Sequence, residues 1–244
     1  MFRINSPGGS YIASDTIWRE VCIARDAGKP VVVSMGDLAG SGGYFIAVAA
    51  DVIVAQPATL TGSIGVVGGK FRSSGLFERL GVSAESLAFG RHARMFSSLT
   101  GFSDEEWAKL DEWLDLIYDD FTDKVARGRA MTRTAVDEVA RGRVWTGADA
   151  AERGLIDELG GLRRAVEIAR DRANLPADAP LLPTPSLSPI GRLRRPRNSD
   201  DAAAVAHAQG WSAHVGQWGE HADLAVAFGL PAAGPLTMAA APLS

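Results

Sequence analysis

The sequence predicts an α/β protein built on a parallel sheet. Three observations carry that expectation. Short β-branched runs alternate with amphipathic stretches, glycine-rich turns separate them, and the order strand, turn, helix repeats from the start of the chain.

The first repeat opens with Phe2-Arg3-Ile4, which reads as the end of a strand feeding the turn Ser6-Pro7-Gly8-Gly9. A helix follows, with Ile17, Trp18, Val21 and Cys22 on one side and Gly28 as its stop. Pro30 to Ser34 reads as a buried strand, because Val31-Val32-Val33 has no polar interruption. Gly40-Ser41-Gly42-Gly43 then hands over to an apolar helix from Tyr44 to Ala50, and Val52 to Ala55 gives a third strand. Parallel strands with short turns point both glycine-rich turns towards one region. Thr61-Gly62-Ser63-Ile64-Gly65 supplies another serine between glycines.

Further on, Leu76 to Leu80 predicts a short helix closed by Gly81, and Ser86 to Phe89 a strand. Ser103 and Glu106 form a capping box for a long helix, whose Trp107, Leu110, Leu114, Ile117, Phe121 and Val125 repeat at core-packing intervals. Thr146 with Asp149 caps another helix that Gly154 stops, and Leu162 to Asn174 forms a last one. Six of the twelve prolines fall between Pro176 and Pro196, marking 176–201 as a linker or surface arm that also carries Arg192, Arg194, Arg195 and Arg197. Those arginines suit a solvated face, and less well an anionic membrane surface. In the tail, 202–244, an amphipathic helix is weakened by Gly210, Gly216 and Gly219. Its His207, His214 and His221 fall seven apart, about 10 Å along a helix, which suits packing or a partner surface better than a shared metal ion.

Composition narrows the function classes. At 46% hydrophobic residues the 244-residue chain can bury a sizeable core, and a net charge of -4 leaves no nucleic-acid footprint. One cysteine, Cys22, excludes an internal disulfide and a cysteine-based metal site, and its helix face suggests a buried thiol. No cofactor or metal is expected. Asp51 splits the longest apolar run, so nothing in the sequence is expected to span a membrane.

Ser41 is the residue that invites chemistry. Glycines on both sides let the backbone turn sharply, and a helix N-terminus offers free N–H groups to a developing anion. The same position also suits a helix N-cap, and the local sequence leaves both roles open. Ala39 stands where the G-x-S-x-G elbow of α/β-hydrolases needs its first glycine, so that fold is not indicated.

Taken together, Asn5-Ser6-Pro7-Gly8-Gly9-Ser10, Gly40-Ser41-Gly42-Gly43-Tyr44 and Thr61-Gly62-Ser63-Ile64-Gly65-Val66 resemble the signal peptide peptidase A family, also called protease IV, of the ClpP and crotonase superfamily. The likeness continues through Gly142-Arg143-Val144-Trp145-Thr146-Gly147 and Gly154-Leu155-Ile156-Asp157. It implies a ClpP/crotonase-like domain of repeated β-β-α and βα units over 1–175, incomplete at its N-terminus. It also implies a serine endopeptidase that degrades cleaved signal peptides, is associated with the bacterial cell membrane in its full-length form, and assembles into a ring-like homo-oligomer. Ser41 falls on the family nucleophile, and the N–H groups of Gly8 or Gly9 with that of Gly42 would form the oxyanion hole. Ser63 matches a serine whose hydroxyl holds the catalytic lysine, although a turn serine fits the sequence as well.

The base departs from the pattern. A lysine must be desolvated from a pKa of about 10.4 towards about 7 or 8 to take the serine proton. In Gly90-Arg91-His92-Ala93-Arg94, Ala93 occupies the position that the short family members give to lysine, and Arg94 cannot deprotonate. Lys70 is a substitute only if it reaches the site; a surface lysine is the alternative. The long, two-domain members carry lysine and serine in different halves, so the chain is expected to correspond to the serine half and to need a lysine-bearing upstream domain or subunit. Two other readings remain: a non-catalytic assembly subunit, and a crotonase-type acyl-CoA enzyme that uses glycine N–H donors without a covalent serine.

Overall fold

The computed structural model describes residues 1–182. The predicted arginine cluster and the tail with His207, His214 and His221 lie outside the described residues. Within them the chain divides into two units, residues 1–66 with 117–182 and residues 67–116.

The first unit is α/β, as the sequence predicts. Its strands are β1 (Phe2–Ser6), β2 (Val32–Gly40), β3 (Val52–Ala55), β4 (Leu60–Gly62), β5 (Val144–Thr146) and β6 (Glu158–Leu159). All pairings are parallel except that of β4 with β5. The helices are α1 (Tyr11–Asp26), α2 (Gly42–Ala47), α5 (Arg133–Val139), α6 (Gly147–Glu152) and α7 (Leu162–Arg172), together with the part of α4 (Asp104–Gly128) from Ile117 onward; α3 (Ser74–Arg79) belongs to the second unit.

β2 organises the sheet. Its first residues, Val32 to Ser34, pair with Val52 to Val54, and its last, Leu38 to Gly40, pair with Leu60 to Gly62. Ser34 and Ala39 also pair with Arg3 and Ser6, so β1 takes one edge of β2 while β3 and β4 share the other. Strand alternation sends Val33, Met35 and Ile53 into the main core with Phe45, Phe121 and Val125, and sends Val32, Val52 and Val54 towards Ala165 of α7. Both faces are therefore covered, and the buried Ser34 hydroxyl accepts from Arg3 at 2.7 Å.

Three local expectations are corrected. β2 runs to Gly40 rather than ending at Ser34, because pairing to β1 and β4 outweighs the turn signal of Gly36-Asp37. No strand forms over Ser86 to Phe89; Leu87 and Phe89 are fully exposed, and no neighbouring strand offers backbone partners. Cys22 is half-buried rather than sealed in the core, although burial still pushes its thiol pKa up. Among the described residues no helix is long and apolar enough to cross a membrane.

Candidate active site

Ser41 follows the last residue of β2 and holds the N-cap position of α2 with φ 49° and ψ −117°. This is a costly conformation for a residue with a Cβ, of the order of 1–3 kcal/mol, and it persists only where the surroundings fix it. Two backbone bonds do so. The Ser41 N–H donates to the Gly62 carbonyl at 2.9 Å, and its own carbonyl accepts from Phe45 N–H at 2.8 Å. The side chain makes no capping hydrogen bond, so the hydroxyl is not spent on the helix.

The loop before α1 packs directly against this serine. Gly8 has φ 111°, and a Cβ built there would lie 2.7 Å from both Ser41 Cβ and the Gly42 nitrogen. Only glycine fits so close an approach. The Gly8 N–H is engaged by Ser6 Oγ at 3.2 Å. By contrast, the N–H groups of Gly9 and Gly42 have no hydrogen-bond partner among the described residues. They are neighbours, since a Cβ on Gly42 would come within 3.3 Å of the Gly9 nitrogen. The free donors beside Ser41 are thus Gly9 and Gly42, rather than Gly8.

Ser63 is brought to the same place. The pairing of Gly40 with Gly62 sets β4 alongside the end of β2, and Ser63 Cβ lies 3.6 Å from where a Cβ on Gly40 would stand. Ser63 also has φ 49°, and its N–H donates to the Arg143 carbonyl at 2.7 Å. Behind the site, the fully buried Tyr44 phenol donates to the Leu155 carbonyl at 2.8 Å, and burial pushes its pKa above the usual tyrosine range. Phe45 of α2 packs against Tyr11 and Phe121, with ring centroids 5.8 and 4.9 Å apart.

Within the first unit, neither Lys29 nor Lys124 hydrogen-bonds to Ser41 or Ser63. Lys124 is buried with Asp15 at 2.9 Å and with Asp120, and lies over the rings of Trp18 and Phe45. Lys29 is exposed, and Lys109 of the second unit pairs with Glu112 at 2.8 Å. In the second unit, the Lys70 ammonium donates to the Met95 carbonyl at 2.7 Å and lies 4.2 Å from the Phe102 ring centre; burial holds its pKa below the ordinary lysine value. Ala93 is exposed on a turn of that unit.

Sequence reasoning gave no role to several residues that shape the site. Asn5 Oδ1 accepts from Leu38 N–H at 3.2 Å, tying the end of β1 to β2. Trp145 packs on Gly62, and Arg143 supplies the acceptor for Ser63. The one available signal was the grouping of these residues into short glycine-containing motifs.

Residues 23–176 match Peptidase family S49. The chain belongs to this family. The S49 assignment carries with it the ClpP/crotonase type of α/β fold, in agreement with the mixed sheet described above. Among its relatives are the chloroplastic serine protease SPPA of Arabidopsis thaliana, 46% identical over 72% of this chain and 26% of that protein, and Protease 4 of Salmonella typhi, 42% identical over 72% and 28%. Protease 4 of Haemophilus influenzae is 38% identical over 71% of this chain and 28% of that one. The S49 chain described here therefore spans little more than a quarter of the length of these relatives.

Proposed function

We propose that the chain is a serine endopeptidase bearing the nucleophile Ser41, and that a lysine from another domain or subunit activates it. The observation that carries this reading is the strained Ser41 backbone, which leaves the hydroxyl free of capping beside two unengaged glycine N–H groups. Ser41 Oγ attacks the scissile carbonyl carbon, and its proton passes to a neutral lysine amine that Ser63 Oγ holds by a hydrogen bond. The N–H groups of Gly9 and Gly42 receive the developing oxyanion, each such donor being worth about 3 kcal/mol in the transition state. The tetrahedral intermediate expels the amine of the leaving peptide, which takes the proton from lysine. Water then releases the acyl group from Ser41.

The engagement of the lysines within their own units supports an external lysine. Lys124 is occupied by two carboxylates and Lys70 by the Met95 carbonyl, while Ala93 carries no amine. The names of the relatives, which call them proteases, support peptide substrates; cleaved signal peptides as those substrates, membrane association and a homo-oligomeric ring belong to the same reading. Labelling with a serine-directed fluorophosphonate, done on the chain with and without its lysine-bearing domain, tests the proposal. Ser41-dependent labelling is expected when the lysine is supplied. No labelling at Ser41 in either preparation removes the nucleophile assignment and leaves a non-catalytic assembly subunit as the better reading.

A further inference from the structure

Trp145 lies on β5 opposite Thr61, with Val144 opposite Gly62. Its ring is fixed from two sides. The indole N–H donates to the Val139 carbonyl at 2.9 Å, and the Arg153 guanidinium sits 4.0 Å from the ring centre. The ring so held closes the space over Gly62: a Cβ there would lie 2.9 Å from Trp145 Cδ1 and 3.1 Å from the Arg143 carbonyl oxygen.

Gly62 and Ser63 form the middle of a backbone relay. Ser41 N–H donates to the Gly62 carbonyl, and the next residue, Ser63, donates its own N–H to Arg143. Both serines hold φ 49°, and Gly62 itself holds φ 82°. The two strained serines thus hang from one dipeptide, and such conformations survive only when packing over-determines them. The side chain packed on Gly62 is Trp145, on a strand more than eighty residues further along the chain.

We infer that Trp145 is a positioning residue, which holds Ser41 and Ser63 in register through the Gly62 peptide. The inference rests on the reading of Ser41 as nucleophile for its functional meaning, but not for its structural content. A shift of the Gly62 carbonyl moves the anchor of the Ser41 amide, and misplacement of a nucleophile by about 1 Å costs on the order of a hundredfold in rate.

Amide hydrogen exchange on the full chain tests this without requiring turnover. In Trp145→Ala, exchange at the Ser41 and Ser63 amides is expected to accelerate at least about tenfold, while the Ile53 amide, bonded to Asp157, keeps its wild-type rate. Trp145→Phe, which keeps a ring over Gly62, is expected to restore most of the protection. Unchanged exchange at both serines overturns the inference, and so does equal acceleration at all three amides, which would make Trp145 an ordinary core residue. If Trp145→Ala does not fold, Trp145→Leu is judged by the same comparison. Where the lysine-bearing domain is present, the Trp145→Ala defect is expected in kcat rather than KM. Undiminished peptide hydrolysis by Ser41→Ala would sink the nucleophile reading while leaving the exchange result standing.

Discussion

The phenol of Tyr44 donates to the carbonyl of Leu155, 111 residues further along the chain, from a fully buried position at the start of α2. That bond ties the helix following Ser41 to the segment leading into β6. Tyr44→Phe leaves the Leu155 carbonyl without its partner, at a cost of about 1–3 kcal/mol. A denaturant titration is expected to show a lower midpoint with an unchanged slope.

Gly8 tests the site rather than the core. A methyl group there meets Ser41 Cβ and the Gly42 nitrogen at 2.7 Å, and the positive φ adds strain. In the preparation supplied with lysine, Gly8→Ala is expected to slow Ser41 labelling by about a hundredfold or more. The clash with backbone is also expected to lower the melting temperature; a labelling rate equal to wild type would separate this loop from the chemistry.

Arg129 and Asp157 form a two-pronged ion pair at 2.9 and 2.7 Å, and each also binds backbone: Arg129 donates to the Gly154 carbonyl, and Asp157 accepts from Ile53 N–H. The Arg129 side chain is only 9% exposed, so removing its partner strands a charge. Asp157→Ala is expected to cost about 3 kcal/mol, measurable as a loss of thermal stability. Arg133, which pairs with Asp119 and Asp123 in a more open setting, is expected to matter by less than about 1 kcal/mol when changed to Ala.

Tyr11 gives an alkaline signature. Its pKa is pushed up to about 12, first by burial and then by its hydrogen bond to Asp120. Because the unfolded chain releases this proton near pH 10 and the folded chain does not, stability is complete below that pH and falls as pH rises towards 12. Tyr11→Phe is expected to flatten part of that decline in unfolding curves. Tyr44, shifted in the same direction, leaves some of the slope in place.

Much of this architecture was legible in the residues. A serine between glycines, placed after a β-branched run, pointed to a sharp turn at the head of a helix, and the strained Ser41 backbone is that turn. The capping pairs Ser103 with Glu106 and Thr146 with Asp149 form the expected hydrogen bonds. What stayed hidden depends on pairing between distant segments. Nothing local to Met35-Gly36-Asp37 announces a strand, which exists because β1 and β4 supply partners. Nor does spacing along the chain place Trp145 over Gly62, since that follows from the antiparallel β4–β5 register. The engagement of Gly8 by Ser6, which leaves Gly9 as the free donor, likewise depends on a loop geometry that the motif alone does not specify.

A single nine-residue strand supports three neighbours and ends at the serine. Slipping that strand by one position would turn its side chains to the opposite face and take Gly40 away from Gly62. The register that assembles the sheet is consequently the one that sets Ser41 at the head of its helix, so the sheet cannot be re-registered without displacing that hydroxyl.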